Sequence, residues 1–238
     1  MLNFEEIIPS RQLNILLIIL DIIFLVVLIG LLIYKKKYLT VLFALAGGIL
    51  YFIVDYGIFF HALGTRKITG ADPAWFLLWL SMSYGITNFA WIWLAIKKDD
   101  HLKEWTLLIF IWWLASPLIS QNFGGPNTIV ISRGTGQYHG FMAIILLVGY
   151  LSVIVYNLYV EKNQRLPLFR MFAIGFLVQF GWEFALLVTG VRAPNVGPLI
   201  INSLLETNLG IPYLFVIHHI ITRRFNEDLS KAEPVLIV

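Results

Sequence analysis

The sequence predicts an all-α, polytopic membrane protein with seven transmembrane helices, and its composition and its apolar runs are the basis. Of its 238 residues, 59% are hydrophobic and 13% are charged, about half the charged fraction that is usual in a soluble domain. Apolar runs of roughly 20 residues, enough to cross about 30 Å of hydrocarbon, recur along the whole chain. The net charge of +3 comes from loop lysines and arginines, so no nucleic-acid partner is expected.

The predicted helices are separated by charged residues or by glycine and proline, which commonly end helices. The first run, 12–34, is too long for the core of a signal peptide, and we interpret it as a permanent transmembrane helix. The later segments are 38–62, 74–96, 105–122, 138–160, 168–190 and 198–222. Residues 1–225 are therefore predicted to form one transmembrane domain, and residues 226–238 a short cytoplasmic tail.

Basic residues are divided unequally between the two sets of loops. Most lysines and arginines, including the run Lys35-Lys36-Lys37, lie on one side of the predicted membrane. The other side has only Arg11, Arg66, Lys67, Arg133 and Arg192. Because cytoplasmic loops carry the excess of basic residues, we expect the N-terminus outside, the C-terminus inside, and a multi-pass protein of the cell membrane.

Three carboxylates interrupt the apolar runs at one depth. Asp55 and Glu183 each lie seven residues before the outer end of a segment, and Glu206 lies about eight residues after the outer start of the last one. With a rise of about 1.5 Å per residue, all three lie roughly 10–12 Å below the outer boundary. A carboxylate exposed to lipid costs several kcal/mol, so we expect the three to meet in an acidic pocket open to the outside.

Apart from Arg170, at the inner end of the sixth segment, no lysine or arginine occurs inside a predicted helix, so the acids are expected to lack basic partners at their own depth. Arg66, Arg133 and Arg192 are the nearest candidates, if they reach down from the outer loops. Since burial favours the neutral form of a carboxyl group, at least one acid is expected to be protonated at neutral pH. Asp21, in the first segment, is predicted to make a helix–helix hydrogen bond.

Further polar and aromatic side chains are placed to line the pocket. Gln179 is four residues from Glu183, and Asn202 is four from Glu206, so each amide shares a helix face with an acid. The candidate substrate-binding residues are Trp182, Gln179, Asn202, Tyr84, Asn88, Tyr56, His61 and Arg192. Neither a metal nor another cofactor is predicted, because the histidines and acids lack the spacing of metal ligands.

The run Gly181-Trp182-Glu183-Phe184, with acids on the second and seventh segments, resembles the seven-helix membrane terpene cyclases of fungal meroterpenoid pathways. The resemblance implies acid-catalysed protonation of an epoxide or olefin in a prenylated substrate. It would make Asp55 and Glu206 the acid pair, with Glu183 as support or as the donor. The chain departs from the family in having Val54 before Asp55 instead of a Trp-Glu pair, and Glu206 where an aspartate is expected.

Three functions follow as alternatives. The first is an intramembrane lyase or isomerase that acts by acid catalysis on a lipophilic, isoprenoid-type substrate entering from the bilayer. The second is a small transporter with a three-plus-one-plus-three plan, whose acids bind a polar or cationic solute or carry a coupling proton. The third is a ligand-binding sensor. The inner halves of the second and sixth segments are almost wholly apolar, which favours the enzyme or the sensor over the transporter.

Overall fold

The chain is mostly helical, as predicted. A computed structural model describes residues 10–193 and 195–229. The predicted tail, 226–238, is described only as far as Leu229, where the last helix ends, and residues 230–238 lie outside the described part. The helices are α1 (Ile15–Tyr34), α2 (Tyr38–Phe52), α3 (Pro73–Lys97), α4 (Leu102–Phe123), α5 (His139–Tyr159), α6 (Leu168–Val188), α7 (Val196–Leu205) and α8 (Ile211–Leu229).

Six helical stretches of the described chain are long and apolar enough to cross a membrane. Five are α1, α2 with its continuation to Ala62, α4, α5 and α6, and the sixth is Leu199–Thr222, which includes most of α7 and α8. Helix α3 has 25 residues but is not among these apolar stretches, and most of its side chains are buried between other helices. An enclosed helix needs less apolar surface because it has little contact with lipid. This is the architecture of an integral, multi-pass membrane protein.

Helix α2 continues directly into a π-helical segment, Ile53–Ala62. The predicted segment 38–62 is therefore helical throughout, but its outer part has wider turns than an α-helix. Asp55 lies in the first turn of the π-helical segment and is buried. Stretches of π-helix are rare and are frequent at functional sites, which draws attention to this carboxylate.

Glycines bring α2 and α3 into close contact. A Cβ atom added at Gly85 of α3 would lie only 2.5 Å from the Cα atom of Gly48 of α2. A Cβ atom at Gly47 would lie 2.2 Å from the ring of Phe89. Only glycine fits this contact, and the contact fixes the position of the π-helical segment that follows α2.

The seventh predicted segment, 198–222, is broken. Helix α7 ends at Leu205, and a 3₁₀ turn covers Asn208–Gly210 before α8 begins. Pro212 in the first turn of α8 is compatible with the break, because proline has no N–H for a continuous helix to use. Glu206 consequently lies at the C-terminal end of α7, inside the bundle rather than in the middle of a regular helix.

A three-stranded antiparallel sheet covers the end of the bundle that is predicted to be outer, and the all-α prediction missed it. Its strands are β1 (Ser10–Leu13), β2 (Arg66–Thr69) and β3 (Ile129–Arg133), in the order β1-β3-β2. In the central strand, Arg133 pairs with Arg66, and Ile131 pairs with Arg11. The strands come from the N-terminal segment and from the loops before α3 and α5.

One face of the sheet packs on the helices, because side chains alternate between the two faces of a strand. Ile129 and Ile131 of β3 are fully buried and belong to one apolar cluster with Phe76 and Leu77 of α3. The sheet therefore lies at the end of the bundle where the sequence predicts the opening to the outside. The face towards the bundle also carries Arg11, Arg66 and Arg133.

Candidate active site

Asp55 is held by two arginines from the sheet. Nη2 of Arg66 donates to Oδ1 of Asp55 at 2.7 Å, and Nε of Arg66 donates at 3.2 Å. Arg133 donates to both carboxylate oxygens, at 3.1 and 3.2 Å, and the hydroxyl of Tyr84 donates to Oδ2. Arg66 and Arg133, two of the three outer arginines whose reach the sequence left open, therefore do reach this acid.

Glu183 is bound in a similar way by two other arginines. Nη1 of Arg192 donates to Oε2 of Glu183, and Nη2 of Arg11 lies 3.6 Å from Oε1. Asn202 donates to Oε1 at 3.1 Å, and Gln179 donates to the same oxygen at 3.3 Å. Glu183 is almost completely buried, and its charge is balanced within the protein. Arg192, the third outer arginine whose reach the sequence left open, therefore also reaches an acid, and Arg11 joins it.

The sheet supplies the arginines because each of its strands contributes one, and Arg192 joins Arg11 through an isolated β-bridge. Burial is the largest influence on Arg133 and disfavours its charge, but the surrounding groups, led by the negative charge of Asp55, together outweigh burial and raise the pKa of Arg133. Burial lowers the pKa of Arg11 to about 10, and the charge of Arg133 acts in the same direction. Both guanidinium groups stay charged at neutral pH.

Glu206 differs from the other two acids. Nε2 of Gln179 donates to Oε2 of Glu206 at 3.3 Å, and Oγ1 of Thr207 donates to Oε1 of Gln179 at 2.6 Å. Glu206 forms no ion pair with any arginine or lysine of the described chain, although its charge acts on Arg133 and Arg11. Gln179 thus donates both to Glu183, whose charge is balanced by arginines, and to Glu206, which has no basic partner in contact.

A cavity of about 370 Å³ lies between these groups and the middle of the bundle. Its polar end is lined by Asp55, Arg66, Tyr84, Arg133, Gln179 and Glu206. On α3, Phe89 and Ile92 line the cavity further from the sheet than Tyr84 does. Leu50 of α2 and Leu214 and Ile217 of α8 complete this apolar end. The cavity is therefore amphipathic, with its polar end beneath the sheet.

The apolar end of the cavity adjoins the lipid-facing surface. Leu50, Tyr213 and Ile217 line the cavity, yet 49%, 42% and 42% of their surfaces are exposed on the outside of the bundle. The sheet covers the polar end. The residues of α2 and α8 that line the cavity are therefore also the ones that an apolar molecule in the bilayer would meet.

The structure separates the predicted site residues into three groups. Asp55, Glu206, Tyr84, Gln179 and Trp182 line the cavity. Four more, Glu183, Asn202, Arg192 and Asn88, are buried around it. Asn202 and Arg192 bind Glu183, and Asn88 is buried on α3.

Two predicted residues lie outside the cavity. Tyr56 stacks on the ring of Phe60, with centroids 5.6 Å apart, and the exposed His61 contacts both rings. Asp21 is also separate from the three central acids. It accepts a hydrogen bond from Nε1 of Trp79 at 3.0 Å, as expected for a helix–helix contact.

Sequence reasoning missed Arg11, Tyr51 and Thr207, and left the reach of the other three arginines open. The alternation of Ile129, Ile131 and Arg133 is a period-two pattern, which is the available signal for a strand with an inward arginine. The arrangement as a whole offers one carboxyl group without a basic partner in contact, two carboxylates in ion pairs, and an apolar chamber. Comparison with protein-family models, curated proteins and solved structures finds no match to this chain.

Proposed function

We propose that this protein is an intramembrane enzyme, an acid-catalysed cyclase or isomerase of a lipophilic, isoprenoid-type substrate, with Glu206 as its proton donor. One observation carries the proposal. Glu206 lines the cavity without a basic partner in contact, whereas Asp55 and Glu183 are each paired with two arginines. The fungal membrane terpene cyclases that the sequence resembles would perform chemistry of this kind.

Asp55 and Glu183 are assigned a positioning role. A carboxylate in contact with two guanidinium groups is stabilised in its ionised form and is a poor proton donor. These acids instead anchor the sheet to the helices and fix the arginines around the polar end of the cavity. This assignment departs from the acid pair that the resemblance implies, because it leaves Glu206 as the donor and removes Asp55 from that role.

In the proton transfer we propose, Glu206 gives one proton to the substrate and receives one proton back. The protonated carboxyl of Glu206 gives its proton to an epoxide oxygen or to an alkene carbon, and a carbocation forms. After ring closure or a shift of the double bond, a neighbouring carbon loses a proton to the carboxylate of Glu206, which restores the acid. Gln179 orients this carboxyl, and the faces of Tyr51 and Tyr84, which line the cavity, stabilise the cation.

The membrane supplies the setting for this chemistry. A lipophilic substrate would enter sideways past Leu50 and Ile217, so no wide aqueous opening is needed. In the proposed topology seven helices cross the cell membrane, α3 included, and the sheet lies on the outer side. The sheet then excludes outside water from the cation, which water would otherwise capture.

The test is product formation in membranes that contain the protein and a lipid extract or a set of epoxidised isoprenoids. We expect Glu206→Gln to abolish product formation while the protein stays folded. Asp21→Asn is the matched control, because Asp21 is also an intramembrane acid but contacts Trp79 outside the site. Full product formation by Glu206→Gln would refute the assignment of Glu206.

The broken last helix favours a second candidate function, a small transporter. Transporters often place their solute site where a helix is interrupted, as α7 and α8 are interrupted next to Glu206. Against it, the cavity becomes apolar away from the sheet and offers no polar path onward. Proton-dependent solute uptake into vesicles that is lost in Glu206→Gln, with no change in lipid composition, would favour the transporter.

A further inference from the structure

We propose that the cavity selects amphiphilic anions: molecules with a carboxylate or similar oxyanion head, bound at Arg133, and an apolar chain that runs along α8. This proposal rests on the proposed function, because it takes the same cavity as the substrate site and names the class of substrate. It concerns recognition of the substrate and adds no chemical step.

The balance of charge around the polar end is the first observation. Four arginines surround three acids there, namely Arg11, Arg66, Arg133 and Arg192 around Asp55, Glu183 and Glu206. With Glu206 ionised the group has one positive charge in excess, and with Glu206 protonated it has two. An excess of buried positive charge is costly, and an anionic ligand offsets it.

Unused hydrogen-bond donors are the second observation. Nε of Arg133 is buried and has no acceptor in the described chain, although Arg133 lines the cavity. Nε and Nη1 of Arg11 and Nε of Arg192 are also buried without acceptors. A buried donor without an acceptor is destabilising, and a hydrogen bond from a guanidinium group to an anionic oxygen is among the stronger ones in proteins. Of these donors, Nε of Arg133 belongs to a residue that lines the cavity, and a hydrocarbon substrate without a polar head would leave it unused.

The shape of the cavity is the third observation. The arginines stand at one end only, and the wall opposite them is formed by Ile92 of α3 and by Leu214 and Ile217 of α8. A bound molecule with a charged head therefore has one favourable orientation, with its head beneath the sheet. In this orientation the atoms nearest the head lie beside Glu206, which lines the same polar end. The head group thus decides which part of the chain meets the acid.

Binding of a matched pair of probes tests the proposal without knowledge of the natural substrate. The probes are farnesoic acid and farnesol, which share one isoprenoid chain and differ in the head group. Affinity for the purified full-length protein in detergent is measured at pH 7.5 by calorimetry and by quenching of tryptophan fluorescence. We expect the acid to bind at least tenfold more tightly than the alcohol. Equal affinities in the unaltered protein would overturn the proposal.

Two variants locate the head group. Arg133→Gln should remove the preference for the acid, and Arg133→Lys, which keeps the charge, should retain part of it. Arg165→Gln is the control, since Arg165 is exposed and lies outside the cavity, yet its loss changes the net charge equally. If Arg133→Gln does not fold, Arg133→Lys alone is the test, and a partial loss of the preference for the acid is the expected result. A full preference for the acid in either folded Arg133 variant would contradict binding at Arg133.

The outcome separates this proposal from the proposed function. If the acid binds preferentially but Glu206→Gln still forms all products, the head-group site stands and the role of Glu206 fails. If product formation requires Glu206 but acid and alcohol bind equally, the enzyme stands and the head-group site fails.

Discussion

Arg133 donates to both carboxylate oxygens of Asp55, at 3.1 and 3.2 Å, although 78 residues separate the two in the chain. The contact joins the central strand of the sheet to the π-helical segment that follows α2. It therefore holds the sheet in place above the cavity, and its loss should affect stability before it affects chemistry.

Asp55→Asn should strongly destabilise the protein. The change removes the carboxylate charge that Arg66 and Arg133 bind, and breaking a buried ion pair by removing one partner costs about 3–5 kcal/mol. Thermal unfolding in detergent measures the effect. The double variant Asp55→Asn/Arg133→Gln should lose less stability than the sum of the single variants, because both remove the same interaction. Strictly additive losses would show that the two residues are not coupled.

Glu183→Gln should lower the stability of the protein, whereas Glu206→Gln should leave it nearly unchanged. Glu183→Gln leaves two arginines without a counter-charge, so the free energy of unfolding should fall by about 3–5 kcal/mol. The unfolding temperature should fall with it. Glu206→Gln removes no ion pair, and its unfolding temperature should stay close to that of the unaltered protein. Thermal unfolding of both variants in one detergent makes the comparison, and the reverse order of stabilities would contradict the division of roles.

Gly85→Ala should loosen the contact between α2 and α3. The added methyl group would meet the backbone of Gly48 at 2.5 Å, and overpacking of this kind costs about 1–3 kcal/mol. Gly30→Ala is the matched control, because nothing lies within 4 Å of a Cβ atom at Gly30. Its unfolding temperature should stay the same or rise. Equal effects of the two changes would show that close packing is not what requires Gly85.

The contact between Lys37 and Asp99 should make stability depend on pH. Burial alone would raise the pKa of Asp99, but the hydrogen bonds from Lys37 and from the backbone N–H of His101, together with the charge of Lys37, lower the pKa below the usual value of about 4. A carboxyl whose pKa is depressed in the folded state stabilises the fold above its unfolded pKa. That contribution disappears as the pH falls through the folded pKa.

The test of this dependence is Asp99→Asn, with the exposed Asp100→Asn as control. At pH 7, Asp99→Asn should unfold at a lower temperature than the unaltered protein, and the gap should close progressively below pH 4. Asp100→Asn should follow the unaltered protein at every pH. A gap that stays constant down to pH 2 would exclude the ionised form of Asp99 as its cause.

Leu50→Trp should obstruct the entry of substrate. Leu50 lines the cavity and is also exposed on the lipid-facing side, so a larger ring there narrows the lateral way in. We expect a higher KM or a slower association of farnesoic acid, with little change in unfolding temperature. Leu42→Trp is the control, since Leu42 is exposed on the same helix and does not line the cavity. Equal kinetics in the two variants would argue for another route.

The helical part of the fold was predictable because each membrane helix leaves a local signal, an apolar run of sufficient length. The contact of Gln179 with Glu183 was predictable for the same reason, since residues four apart share a helix face. The same rule puts Asn202 on one helix face with Glu206, but it does not reveal that the amide of Asn202 donates to Glu183 of the neighbouring helix. Packing between helices decides such contacts, and one sequence does not show it.

The sheet could not be predicted, because its strands have four or five residues and pair across long separations. Ser10–Leu13 pairs with Ile129–Arg133, more than a hundred residues later. Strand pairing of this kind leaves no local pattern beyond a short alternation. The arginines of the sheet therefore looked like ordinary loop cations, and the acids looked unbalanced.

The strand order β1-β3-β2 has a consequence for biogenesis. The central strand is the last of the three to be synthesised, so β1 and β2 have no neighbour until residues 129–133 have left the ribosome. A nascent chain that stops before this point already contains Asp55 and Arg66 but no complete sheet. The sheet above the cavity can form only after the fourth helix has been made. Chains arrested earlier should be substrates for membrane quality control.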